Sequence, residues 1–181
     1  MNKTKSNKAS NISKQAMIAA IYTVISVCFS AITYGPVQIR ISEALTLLPV
    51  FAFGNIWGVT IGCFLTNLIG FFTGANILGS LDIIFGTMAT FLAAVTTYLL
   101  RNIKFKGMPI LSVIPPILFN AVVVGWELCV LINGGFNTVV FIAQAASVAA
   151  GQTVSCGFIG LVMVNIINKN TVLKDLLAQS A

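Results

Sequence analysis

Four ionisable residues of this chain stand among apolar neighbours: Arg40, Glu43, Asp82 and Glu127. Ionised carboxylates only accept hydrogen bonds, so three of them in apolar surroundings suit a cationic or N–H-rich ligand. A Glu can take two adjacent N–H groups at once, as on the amide–amine edge of a guanine-like ring. Asn67, Asn120, Gln144 and Gln152 add amides that can read a neighbouring carbonyl or ring nitrogen, and Trp126 adds a face on which a flat ring stacks. Each of these residues also has a plainer reading. Glu43 and Asp82 suit helix N-termini, Arg40 and Glu43 suit an interfacial ion pair, the amides suit interhelical hydrogen bonds, and Trp126 suits an interfacial belt. Glu127 is the hardest to explain in that way, because no basic residue is near it in sequence. Catalysis is disfavoured. The chain has no His, H-E-x-x-H, phosphate-binding glycine loop or convincing nucleophile–base pair. An intramembrane enzyme acting through Glu43, Asp82 or Glu127 is the alternative from another class, and a structural scaffold with no ligand is a further one. No cofactor or metal site is expected.

The elements that must position these groups follow from composition. Of 181 residues, 57% are hydrophobic and only 8% are charged, whereas a soluble domain averages about 25% charged residues. Several apolar stretches approach the ~20 residues that span a bilayer. The expectation is an all-α integral membrane protein of six transmembrane helices, with residues 14–167 forming one transmembrane domain. Residues 1–13 read as a disordered polar N-terminus and residues 168–181 as a tail. Span 1 covers about 14–33 and ends at the turn signal Tyr34-Gly35-Pro36. Residues 37–41 alternate with period two, as a short extended lid would. Span 2, about 42–53, is short and carries Pro49, so a kinked or incomplete helix is expected there, with Ser42 and Glu43 at its start. Span 3 covers about 55–73, with Gly54, Gly58 and Gly62 as a small-residue stripe. Spans 4, 5 and 6 cover about 82–100, 109–132 and 138–167. Pro115-Pro116 either kinks span 5 or begins its regular part. The four cysteines lie in separate apolar segments and read as small core residues.

Six spans put both termini on one side. Nine of the ten Lys and Arg residues, all but Arg40, then share that side, which the positive-inside rule makes cytoplasmic. With that topology the candidate polar groups come from several spans yet share the outer part of the membrane, Asn120 lying deepest. The expected result is a polar pocket open to the outside and closed by apolar side chains below. A channel is disfavoured, since no polar line crosses the membrane.

Six short spans, a basic N-terminus and an outward pocket resemble the substrate-binding S components of energy-coupling-factor (ECF) transporters. The segments VQIRISEALTLLPVF (37–51), GVTIGCFLTNLIG (58–70), LDIIFGTMATFLAAVTTYLLRN (81–102) and FNAVVVGWELCVL (119–131) resemble the QueT family of these components. The R-I-S-E-A-L and L-D-x-x-F-G-T segments are the most specific. The resemblance implies a queuosine precursor as ligand, a 7-deazaguanine such as preQ1 or a queuine-like base. It also implies a transmembrane coupling protein and two cytoplasmic ATPases as partners, and release of the ligand by toppling in the plasma membrane. Glu127 or Glu43 would accept ring N–H groups, Asp82 would pair a ligand amine, Arg40 would close the lid on Glu43, and Trp126 would stack. Asn67, Asn120, Gln144 and Gln152 would complete the site. Ala16 and Ala20 match the Ala-x-x-x-Ala pattern with which S components dock the coupling protein. The chain departs from the family pattern at Trp57-Gly58, where Pro-Gly is expected, and at Gln152, where a Glu is expected. Another small vitamin or base is the alternative ligand.

Overall fold

A computed structural model of the chain describes residues 3–34 and 39–178, with side chains from residue 9 onward. The described residues are almost entirely helical. The α-helices are α1 (Lys3–Cys28), α2 (Ser30–Thr33), α3 (Asn55–Phe72), α4 (Leu81–Leu100), α5 (Ile114–Asn133), α6 (Thr138–Gln152), α7 (Leu161–Lys169) and α8 (Thr171–Ala178). A 3₁₀ segment, Ile41–Val50, follows α2, a short 3₁₀ turn leads into α5, and a π-helical stretch, Thr153–Gly160, joins α6 to α7. Five helical runs are long and apolar enough to cross a membrane: Ala9–Cys28, Asn55–Phe72, Leu81–Leu100, Ile110–Asn133 and Thr138–Lys169. Their outer faces suit lipid. Phe72, Val139 and Phe158 are 77%, 78% and 73% exposed, which water would penalise and hydrocarbon would not.

The expected spans 3 to 6 agree with these helical runs to within about two residues; two expectations change and one open alternative is decided. Residues 3–13, expected to be disordered, continue α1 as helix; the stretch is polar but holds no Gly or Pro to stop one. The expected second span is the 3₁₀ segment. Its rise of about 2.0 Å per residue gives ten residues a reach of about 20 Å, against about 15 Å as α-helix. Ser42 does not cap it. Its Oγ lies 2.6 Å from Ser26 Oγ of α1 instead. Pro115 and Pro116 begin α5 rather than kinking it. The turn at Gly35-Pro36 and the first half of the lid, Val37-Gln38, lie outside the described residues, as does the end of the tail, 179–181. Arg40, which ends the lid, has extended backbone (φ −93°, ψ 93°).

Contacts along α1 and α3 fix the direction of the chain. Gly58 abuts Gln15 and Ile18, Gly62 abuts Tyr22, and Gly70 abuts Tyr34. Both sequences rise together, so the two helices are parallel. The chain between them must therefore return from one end of the bundle to the other, and Ile41–Val50 makes that return. The small-residue stripe permits the close approach. A Cβ on Gly62 would sit 2.7 Å from Tyr22 Cβ. The later helices alternate. Thr97 meets Ser112, Phe85 meets Trp126 and Gly125 meets Ala145. Gly134, at φ 65°, ends α5, and the side chain of Asn137 caps α6 by accepting from the amides of Val139 and Val140.

The start of α1 and the end of α8 share one end of the bundle. Gln15 Nε2 donates to Asn55 Oδ1 at 3.3 Å, and Asn55 Nδ2 donates to the carbonyls of Leu48 and Leu177 at 3.0 and 3.4 Å. Ile18, Leu48, Ile56, Val59, Ala94 and Ile167 form an apolar cluster with this end. Polar side chains buried towards the opposite end form the candidate site.

Candidate ligand-binding site

Arg40, Glu43 and Asp82 meet there, all buried. Arg40 Nη2 donates to Asp82 Oδ2 at 3.1 Å, while its Nη1 lies 4.0 Å from Glu43 Oε1 and 3.6 Å from Cys63 Sγ. The closer partner is Asp82, and the Arg40–Glu43 pair that the sequence suggested is present as the longer contact. Burial opposes the charge of Arg40, but Asp82 beside it, with smaller help from Tyr22, Cys63 and Glu43, holds its pKa above the ordinary arginine value.

The two specific sequence segments have structural reasons. In R-I-S-E-A-L, the extended Arg40 and the first turn of the 3₁₀ segment turn the guanidinium and the Glu43 carboxylate inwards. Ala44 and Leu47 face the last span, where a Cβ on Gly160 would strike Leu47 Cδ1 at 2.8 Å. In L-D-x-x-F-G-T, Gly86 lies one turn after Asp82, and a Cβ there would run into the Asp82 carboxylate. The glycine leaves Asp82 room to lie back along α4 towards Arg40. Asn76, in the loop before α4, donates to Asp82 Oδ2 at 2.8 Å. Asn67 of α3 donates to the Asp82 main-chain carbonyl at 2.7 Å.

Glu43 is well supplied with donors. Oε1 accepts from Tyr22 Oη at 2.5 Å and from Thr90 Oγ1 at 3.2 Å, and Oε2 accepts from Asn120 Nδ2 at 3.5 Å. Cys156 Sγ donates to the Glu43 main-chain carbonyl at 3.2 Å and contacts Gln152 Oε1 at 3.3 Å, which links Gln152 to the same group.

Glu127 differs. It is fully buried on α5 and close enough to Asp82 and Arg40 for their charges to act on it. Neither carboxylate oxygen has a hydrogen-bond partner among the described residues. Asp82 Oδ1 and Asn67 Oδ1, also buried, lack partners too. Buried polar atoms in native proteins are nearly always satisfied. Among the described residues, four carboxylate and amide oxygens from α3, α4 and α5 go without a donor, and the hydroxyls of Thr66 and Thr87, which can donate or accept, lack partners too.

Of the nine candidate residues, Arg40, Glu43, Asn67, Asp82 and Asn120 form one bonded network, Gln152 joins it through Cys156, and Glu127 lies beside it. Two stand apart. Trp126 is half-buried, packs edge-on against Phe85 at 5.6 Å, and lines an apolar groove with Phe136 and Phe141. It follows Gly125 and precedes Glu127, so it projects about 100° away from the carboxylate. Gln144 is half-buried and makes no hydrogen bond among the described residues. Ala16 and Ala20 lie exposed on one face of α1, and Ala16 lines a groove with Ile12, Trp57 and Ile61. Sequence reasoning missed Tyr22, Cys63, Asn76 and Thr90. Tyr22 had a usable signal: it sits mid-span, away from the interfaces where membrane tyrosines concentrate. The cysteines only partly fit the core reading. Cys63, Cys129 and Cys156 are buried, Cys63 and Cys156 within the polar network, while Cys28 is exposed.

Comparison with known proteins agrees with this picture. The sequence model of the family described as "QueT transporter" matches residues 12–169. A curated protein of Lactococcus lactis subsp. cremoris (strain MG1363), "Queuosine precursor transporter QueT", is 38% identical over 80 residues. That alignment takes in 43% of this chain and 47% of the relative, so it spans about half the length of the protein it matches. No solved structure matches. A match over nearly the whole set of membrane-spanning helices makes this chain a member of the QueT transporter family.

Proposed function

We propose that the chain binds a queuosine precursor, a 7-deazaguanine base, from outside the cell and serves as the S component of an ECF importer. The observation that carries this reading is the set of buried acceptors without donors: both oxygens of Glu127, Asp82 Oδ1 and Asn67 Oδ1. Acceptors without donors call for a ligand rich in N–H groups, and an amine-bearing 7-deazaguanine presents N–H donors both on its ring edge and on its substituent. The name of the Lactococcus relative points to the same class. In this reading the protein is a transporter subunit and not an enzyme.

The chain crosses the plasma membrane six times, the 3₁₀ segment Ile41–Val50 being the second crossing, and both termini are cytoplasmic. The parallel run of α1 and α3 supports that count, and nine of ten basic residues on one side support the orientation. Arg40 covers the ligand. Ala16 and Ala20, exposed on α1, dock the coupling protein, whose two ATPases drive toppling and release.

The test is a pair of variants in the purified protein, with binding of the 7-aminomethyl base measured by calorimetry. Glu127→Gln is expected to weaken binding strongly, and Lys169→Gln, at the far end of the bundle, is expected to leave it unchanged. Equal affinities of the two variants would contradict this site.

A further inference from the structure

Asn67, Asp82 and Glu127 belong to three different helices, and each offers a buried oxygen to which none of the described residues donates. Asn67 donates through Nδ2 to the Asp82 carbonyl, which leaves Oδ1 as the free end of the amide. Asp82 uses Oδ2 for Arg40 and Asn76, which leaves Oδ1. Glu127 has both oxygens free. Arg40, the cation of the cluster, is already engaged by Asp82, Glu43 and Cys63. Two of the three buried carboxyl groups pair with Arg40, and the one without any bond is Glu127.

A carboxylate buried without a counter-charge is costly, and removing water strengthens its pull on any cation that arrives. An alkylammonium has three N–H donors and a full charge. Three acceptor groups from three helices match its three donors, where a hydroxyl would offer one and a nitrile none. On the reading that the ligand is a 7-deazaguanine, we propose that Glu127, Asp82 Oδ1 and Asn67 Oδ1 form a subsite for a protonated amine on the substituent of the base. The protein then separates cationic from neutral members of the class by charge, not by shape.

The experiment is calorimetry on the full chain in detergent with three ligands: 7-aminomethyl-, 7-hydroxymethyl- and 7-cyano-7-deazaguanine. The first two nearly match in shape and differ in charge. Wild-type protein is expected to favour the amine by on the order of 30-fold or more, the size expected when one partner of a buried charge pair is removed. Glu127→Gln is expected to shrink that preference to within a few-fold while still binding the hydroxymethyl base, which shows that the variant is folded. Equal affinity of wild-type protein for amine and alcohol, or an undiminished preference in Glu127→Gln, overturns the ammonium subsite and leaves the deazaguanine reading standing. Failure of all three ligands to bind folded wild-type protein overturns both.

Discussion

Replacing Glu127 with Leu separates stability from binding. The two side chains are similar in volume, and Glu127 is fully buried with both oxygens unpartnered. An unsatisfied buried polar group costs about 1–3 kcal/mol, and more when charged. Glu127→Leu is therefore expected to stabilise the ligand-free protein by about 1–3 kcal/mol. At roughly 2–4 °C per kcal/mol for a chain of this size, the melting temperature rises by about 2–12 °C. Wild-type protein gains about 2.7 kcal/mol from ligand held at 100 times its Kd, and that increment should vanish in the variant. Thermal unfolding of both proteins, with and without ligand, reads all four values. A variant that melts below wild type would mean that Glu127 has a structural partner, and a surviving ligand shift would mean that it is not part of the site. Either result refutes the reasoning.

Other perturbations test the surrounding network. Tyr22→Phe removes the 2.5 Å hydrogen bond to Glu43 Oε1 and is expected to cost about 1.5–3 kcal/mol of stability, as a lost bond to a charged group does, measured by thermal or chemical unfolding. Arg40→Met leaves Asp82 without its cation and is expected to cost about 3–5 kcal/mol, while Arg40→Met with Asp82→Asn should recover most of that loss; additive losses would argue against the pair. Gly62→Ala puts a methyl group against Tyr22 and is expected to cost about 1–3 kcal/mol through overpacking of α1 on α3, whereas no change in melting temperature would mean that the two helices separate readily.

The membrane helices were legible because their length is set by the bilayer and their composition by lipid. The ends of α3 and α4, and the end of α5, lie within about two residues of the apolar runs that predict them, while α5 itself starts five residues into its run, at Ile114. Conformation inside those runs was not legible. Nothing in ISEALTLLPV beyond Pro49 distinguishes a 3₁₀ segment from a short α-helix, and nothing in TVSCGFIG marks a π-helical stretch. Those choices depend on the neighbours, such as Leu47 against Gly160. The site was partly legible for a related reason. A charged residue in an apolar run is conspicuous because burying it is costly, which exposed Arg40, Glu43, Asp82 and Glu127. Which acid Arg40 would choose depended on Gly86 clearing the way for Asp82, a packing detail that sequence distance hides. Tyr22, Cys63 and Thr90 are common in membrane helices, and only their shared contact with the network reveals their part in it.

The measurement that bears most directly on the central claim is equilibrium binding of 7-aminomethyl-7-deazaguanine, 7-cyano-7-deazaguanine, queuine and guanine to the purified wild-type protein. The account predicts that at least one deazaguanine binds tightly and that guanine does not. Absence of binding by every deazaguanine, from protein shown to be folded, would contradict it.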